Sequence, residues 1–252
     1  ANVTVLEEHR EIGVPCHCAG LLSVKGLLDI GVPLSADFVQ NKIKGACFHS
    51  PSGLSFTVER KEAVACVVDR SKFDKFLAQQ AAHTGAEIRL KSKVQQVSRH
   101  NKGIVVEGLW GSIDASVAID AEGIGSRFVR AMGLTPLKSE CLLPALQFDL
   151  VNISIDPKYA EIHVGTKIAP GFFAWVIPLN DNSVRVGLAC KGADPLKRLE
   201  EFVRSRFGIF NRVSVRFGRI VTCGPIPKTF DDNFLVVGDA AGHVKATTGG
   251  GV

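Results

Sequence analysis

Four short stretches carry residue types whose spacing could do chemistry. The sharpest is Phe234-Leu235-Val236-Val237-Gly238-Asp239-Ala240-Ala241-Gly242, followed by Thr247-Thr248-Gly249-Gly250-Gly251. An apolar strand feeding a turn of small residues puts one carboxylate, Asp239, where a sugar or ribityl hydroxyl can donate to it. The glycine run then opens backbone N–H groups toward a phosphate or a planar ring. The second stretch is Val3-Thr4-Val5-Leu6-Glu7. A carboxylate at the tip of a parallel strand can accept from both hydroxyls of an adenosine ribose, although a solvated surface Glu has the same appearance. In the third, Asp69-Arg70-Ser71-Lys72-Phe73-Asp74, an Arg at a helix start can join the free N–H groups there in binding a pyrophosphate. The same Arg could equally pair with Asp74.

The fourth stretch is Pro15-Cys16-His17-Cys18-Ala19-Gly20. Two cysteines and a histidine are metal-ligand types. Cys-x-Cys with no second pair downstream is not a zinc pattern, so no metal is expected. The small residues would instead let this backbone lie flat against a planar ligand.

The elements that must carry these groups follow from local patterning. Val3–Leu6 reads as a buried parallel strand, Ala115–Asp120 as a further apolar strand and Phe234–Val237 as a buried strand. Asp69–Thr84 reads as a helix, with Phe73, Phe76, Leu77, Gln80 and Ala81 on one face and Gly85 as its stop. Leu21–Ile30 reads as a short helix ended by Gly31 and Pro33, and Lys44–Val68 as two or three strands. From Pro144 to Ala189 the signal is mostly strand: Ala145–Ile155, Ala160–Val164, Phe172–Ile177 and Ser183–Cys190. An amphipathic helix, Leu196–Phe207, and a strand, Val213–Val221, come next. The order predicts an α/β (α+β) fold, in which a Rossmann-like nucleotide domain is interrupted by an antiparallel β-sheet substrate domain. The expected boundaries are 1–135 for the first part of the nucleotide domain, 136–228 for the β-rich insertion and 229–252 for the return.

Composition excludes several classes. Apolar residues are 46% of the 252, enough for a large core and too many for a disordered chain. The net charge of +5, scattered along the chain, is too weak for a nucleic-acid binder and compatible with an anionic membrane surface. Seven cysteines at irregular spacing do not form a secreted disulfide framework, so a reducing, cytoplasmic compartment is expected. No apolar stretch is long enough for a membrane helix. The chain opens on a strand without an initiator Met and stops inside a glycine run, which suggests a fragment of a longer protein.

Taken together, the motifs resemble those of the geranylgeranyl reductase family of FAD-dependent flavoproteins, the archaeal digeranylgeranylglycerophospholipid reductase branch. Pro15-x-x-Cys18-Ala19-Gly20 resembles that family's flavin-side loop, and Arg70-x-x-Phe73-Asp74 its helix start. Gly238–Gly242 and Thr248–Gly251 resemble its second FAD signature, and Phe173-Ala174-Trp175-Val176-Ile177-Pro178 its substrate-cavity motif. Phe173 and Ile177 replace that motif's Tyr and Phe, and Leu21 stands where a second Gly is usual. The family's opening Gly-x-Gly-x-x-Gly and its C-terminal part are absent from the sequence.

The resemblance implies a reductase that saturates carbon–carbon double bonds of geranylgeranyl lipid chains with FAD. It implies Glu7 at the adenosine ribose, Val94 near the adenine and Arg70 at the pyrophosphate. Asp239 is implied at the ribityl chain or pyrophosphate, with Cys18, Ala19, Leu21, Gly251 and Val252 around the flavin. Phe173, Trp175 and Pro178 are implied at the prenyl chain, and Cys18 is the candidate catalytic group. The expected partners are a prenylated lipid and an electron donor, NAD(P)H or ferredoxin, with peripheral contact at the inner membrane face. Two alternatives stay open: a related flavin monooxygenase or halogenase, and a noncatalytic lipid-binding remnant of the same fold.

Overall fold

In the computed structural model, which describes residues 2–35 and 37–251, the chain divides into two units. One comprises residues 1–14, 74–142 and 220–252; the other comprises residues 15–73 and 143–219.

The second unit is built on a seven-stranded sheet. Its order is Asn211–Val221, Leu142–Val151, Ser183–Ala189, Phe173–Asn180, Tyr159–Val164, Gly45–His49, Ser55–Glu59. Leu142–Val151, Ser183–Ala189, Phe173–Asn180 and Tyr159–Val164 are successive antiparallel neighbours. Side chains in a strand alternate between faces. Leu146, Phe148, Leu150, Val184, Val186, Leu188, Ala174 and Val176 therefore share one face, and they form one core with Leu199, Phe202 and Val203 of the helix Pro195–Phe207. Each fully buried Leu or Phe in it stabilises the fold by about 2 kcal/mol. Asp194 caps that helix by accepting from Leu196 N at 2.9 Å, Pro195 fits its first turn, and Gly208 at φ +72° ends it. The opposite face carries Gln147, Asp149, Arg185, Gly187 and Trp175, also buried where side chains are present. A smaller antiparallel sheet, Leu21–Ser23, Ala65–Val68 and Val39–Ile43, completes this unit.

In the first unit, Thr4–Leu6 pairs parallel with Glu87–Arg89. Val94–His100, Gly103–Gly108 and Gly111–Ala115 form an antiparallel meander. Ala118–Asp120 runs parallel to Phe234–Val236, so the return segment rejoins this unit as expected. Val97, Ile104, Phe128, Val129, Met132, Phe234, Val236, Ala240 and Ala241 form its core.

The boundaries expected from the sequence need correction. Residues 15–73 cluster with the large sheet and not with residues 1–14 and 74–142. The physical reason is that Gly45–His49 pairs parallel with Tyr159–Val164 and brings Ser55–Glu59 along. The segment Leu21–Ile30 is a helix only from Val24, because Leu21–Ser23 pairs with Ala65–Val67. One pair of cysteines, Cys141 and Cys223, is joined in a disulfide across 82 residues, which irregular spacing gave no means of anticipating. No helix among the described residues is long and apolar enough to cross a membrane.

Candidate functional site

In the sheet-bearing unit, the loop 15–20 is fixed by contacts distant in sequence. Gln147 Nε2 donates to His17 O at 3.1 Å and to Cys18 O at 3.2 Å, and Arg185 Nη1 donates to Ala19 O at 2.8 Å. Within the loop, Gly20 N donates to Cys18 Sγ at 3.3 Å. Gly20 lies at φ +77°, and a Cβ there would fall against the Val68 carbonyl while sitting 3.3 Å from Arg185 Nη1, so only Gly fits. Leu21 then enters the edge strand opposite Val67.

Behind the loop, Arg185 donates to Asp149 from Nε at 2.7 Å and from Nη2 at 3.1 Å, and Arg216 reaches the same carboxylate at 2.7 Å. Burial alone would raise the Asp149 carboxyl, but hydrogen bonds and charge from Arg185 and Arg216 win and hold it below its ordinary value. Sequence reasoning missed this polar set. Its only local signal is that Gln147, Asp149 and Arg185 interrupt otherwise apolar strands.

Trp175 is 8% exposed and lies in register with Gly187, which is in register with Gln147. A Cβ on Gly187 would sit 2.5 Å from Trp175 Cε2 and 2.8 Å from Gln147 Cβ. The indole therefore occupies the space that a side chain at 187 would fill. Trp175 Nε1 and Gln147 Oε1 are both buried without a hydrogen-bond partner. Phe173 meets Trp175 edge-on at 6.2 Å and stacks on Phe172 at 4.3 Å. Pro178 is buried next to the register shift that follows it, where a strand tolerates a residue without an N–H, and its carbonyl accepts from Asn41 at 2.9 Å.

Arg70 opens the helix Arg70–His83, and Asp69 caps it by accepting from Ser71 N at 3.0 Å and Lys72 N at 3.4 Å. Elsewhere in this unit, His49, Glu161 and His163 bring ligand atoms within 4.8 Å of one another. Both oxygens of Glu161 are taken, by Arg206 at 2.6 and 3.1 Å and by His163 at 2.8 Å. The two imidazoles stack at 4.2 Å with planes 5° apart, so their in-plane lone pairs cannot converge on one ion. The cluster fits a buried ion pair better than a metal centre. Burial raises Glu161, but the His163 and Arg206 hydrogen bonds outweigh it and hold the carboxyl at about 2.

In the other unit, Glu7 follows the strand Thr4–Leu6, and its Oε1 accepts from His9 N at 2.8 Å and His9 Nδ1 at 2.7 Å. Val94 opens the meander, and its carbonyl accepts from the Arg127 guanidinium. Asp239 lies in the single turn Gly238–Ala241. This turn is set from both sides: Val237 N donates to Asp120 O at 2.9 Å, and Ile226 N donates to Ala241 O at 2.9 Å. Gly242 packs against Gly224 Cα and Leu137 Cδ2, where a Cβ would sit 3.1 and 3.0 Å away. Gly238, at φ +63°, faces open space, as does Gly251 in the exposed pair Gly250–Gly251. Val252 lies outside the described residues. Glu7, Val94, Asp239 and Gly251 thus belong to one unit, and Cys18, Ala19, Leu21, Arg70, Phe173, Trp175 and Pro178 to the other.

The same fold occurs in flavin-dependent enzymes. The halogenase CmlS, at 19% identity and a TM-score of 0.73 over 95% of this chain and 49% of that one, shares the fold alone. A geranylgeranyl bacteriochlorophyll reductase-like protein from Thermoplasma acidophilum superposes at a TM-score of 0.92 with 28% identity, covering 99% of this chain and 68% of that one. The geranylgeranyl reductase catalytic domain matches residues 142–220. The sequence is 32% identical to digeranylgeranylglycerophospholipid reductase 2 of Methanothermobacter thermautotrophicus, over 100% of this chain and 68% of that protein. It is 34% identical to the corresponding reductase 1 of Methanopyrus kandleri, over 100% of this chain and 70% of that protein. The chain belongs to the digeranylgeranylglycerophospholipid reductase family.

Proposed function

We propose that the protein is an FAD-dependent reductase that saturates carbon–carbon double bonds in the geranylgeranyl chains of membrane lipids. The observation that carries this is the 32–34% identity to digeranylgeranylglycerophospholipid reductases spread over the whole chain. The residues fit such a cofactor. Gly238, at φ +63° and next to Asp239 in sequence, and Gly251 both face open space, so a phosphate or a planar group can approach their backbone closely.

A trisubstituted alkene offers no charge and no hydrogen-bonding handle. Its reduction needs a hydride on one carbon and a proton on the other, and reduced flavin supplies the hydride. This chain's residues supply the rest. Glu7, Arg70, Val94 and Asp239 are assigned to hold the dinucleotide, and Cys18, Ala19, Leu21, Gly251 and Val252 to line its ring. Phe173 and Trp175 are assigned to an apolar wall that orients a prenyl chain and keeps water away, whereas Pro178, in register with Val184, lies on the opposite face of the sheet and is not placed on that wall. Cys18 Sγ is assigned to hold the proton. An electron donor, NAD(P)H or ferredoxin, completes the cycle, and the excess of basic residues suits peripheral contact with an anionic bilayer.

The test uses full-length enzyme, reduced chemically without oxygen and mixed with vesicles of digeranylgeranylglycerophospholipid. The expected result is flavin reoxidation matched by a saturated lipid in the mass spectrum. No reoxidation by the lipid, with an oxygenated or halogenated product formed in air, would instead establish the monooxygenase or halogenase alternative.

A further inference from the structure

We infer that Gln147 and Arg185 are positioning residues that clamp three consecutive carbonyls, those of residues 17, 18 and 19, and so fix how Cys18 is presented. This rests on the assignment of Cys18 to the flavin side of the loop.

The loop has no regular secondary structure, so each of its carbonyls needs a partner or a water. Gln147 Nε2 serves two of them, at 3.1 and 3.2 Å, and Arg185 Nη1 serves the third at 2.8 Å. A trans peptide points its N–H opposite to its C=O. With the carbonyls of 17–19 turned toward the sheet, the N–H groups of residues 18, 19 and 20 turn away from it. The Gly20 N–H is the one that reaches Cys18 Sγ, at 3.3 Å. The clamp therefore exposes one polar edge of the loop and draws the thiol onto it.

Arg185 is itself immobilised. Two of its nitrogens are held by Asp149, which Arg216 grips from another strand, and only Nη1 remains for the loop. A charged donor with a fixed direction holds a carbonyl more strongly than a neutral, mobile one. The donors come from Leu142–Val151 and Ser183–Ala189, strands in the interior of the large sheet. The loop thus takes its geometry from the most rigid part of this unit.

Cys66 and Cys190 provide an internal control, because both are free thiols fully buried in the same unit. Full-length, flavin-loaded enzyme is pulsed with iodoacetamide, and alkylation is read peptide by peptide. Gln147→Leu keeps the volume and removes both donors, which should change the Cys18 rate about ten-fold while Cys66 and Cys190 stay protected. Arg185→Lys keeps the charge beside Asp149 and loses the fork, so it should shift the Cys18 rate by less. In whichever of the two variants keeps Cys66 and Cys190 protected, a Cys18 rate within about two-fold of wild type overturns the clamp. Single-turnover reoxidation by prenyl lipid is measured on the same samples. A changed Cys18 rate with unchanged reoxidation supports the clamp and removes Cys18 from the flavin-side assignment.

Discussion

Replacing Gly187 by Ala sets two effects of opposite sign against each other. Gly187 does not have a positive φ, so its backbone accepts an L-residue. On conformational entropy alone, Gly→Ala in a strand should stabilise the fold by roughly 0.4–1 kcal/mol. The structure reverses this. The new methyl would sit 2.5 Å from Trp175 Cε2 and 2.8 Å from Gln147 Cβ, well inside van der Waals contact. Both neighbours are buried, so neither can simply swing into solvent. Overpacking of this kind costs about 1–3 kcal/mol, leaving a net loss on the order of 1 kcal/mol and at most roughly 2.5 kcal/mol. Urea unfolding followed by circular dichroism measures it. The chain has two tryptophans, so a Trp110→Phe background isolates Trp175 emission and shows whether the indole moves. If Trp175 lines the prenyl site, the same variant should lose kcat/KM at unchanged flavin content. A variant as stable as wild type, or more stable, with unchanged Trp175 emission would refute the claim that the indole depends on the vacancy at 187.

Three further outcomes are expected. Asp239→Ala should lower flavin occupancy of the full-length protein on gel filtration, because a polar partner of the cofactor is lost; unchanged occupancy would remove Asp239 from that role. Cys18→Ala should slow single-turnover reoxidation by prenyl lipid more than it lowers flavin content, and a wild-type rate would reduce Cys18 to packing. Burial above all, with repulsion from Glu122, pushes Asp120 up to about 6. With the folded pKa above the unfolded one, ionisation begins to cost stability as pH rises past the unfolded value of about 4, and the cost is complete once pH passes about 6. Asp120→Asn keeps an acceptor for Glu122 N and should therefore add on the order of 1–2 kcal/mol at about pH 7, a gain that disappears below about pH 4. Equal urea midpoints at neutral pH would contradict it.

What the sequence determined by itself is what depends on neighbours along the chain. Asp194, Pro195 and Gly208 bound a helix with local hydrogen bonds and φ preferences, and the small residues of Gly238–Gly242 require a tight turn whatever surrounds it. The alternation of Leu146, Phe148 and Leu150, and the residue types at Cys18 and Trp175, are legible for the same reason. Tertiary structure decided what depends on which distant segment supplies a partner. Nothing local tells Gly45–His49 to dock parallel on Tyr159–Val164, and that pairing moved residues 15–73 out of the expected nucleotide domain. The joining of Cys141 to Cys223 is of the same kind. So is the support of the Cys18 loop by Gln147 and Arg185, more than a hundred residues away. Strands buried on both faces also hide which face is which. Gln147, Asp149 and Arg185 look like polar interruptions in the sequence, and only the sheet reveals that they share a side with Trp175. A hydrogen bond along the chain is specified by a few residues, whereas one across the fold is specified by the whole packing that brings its two ends together.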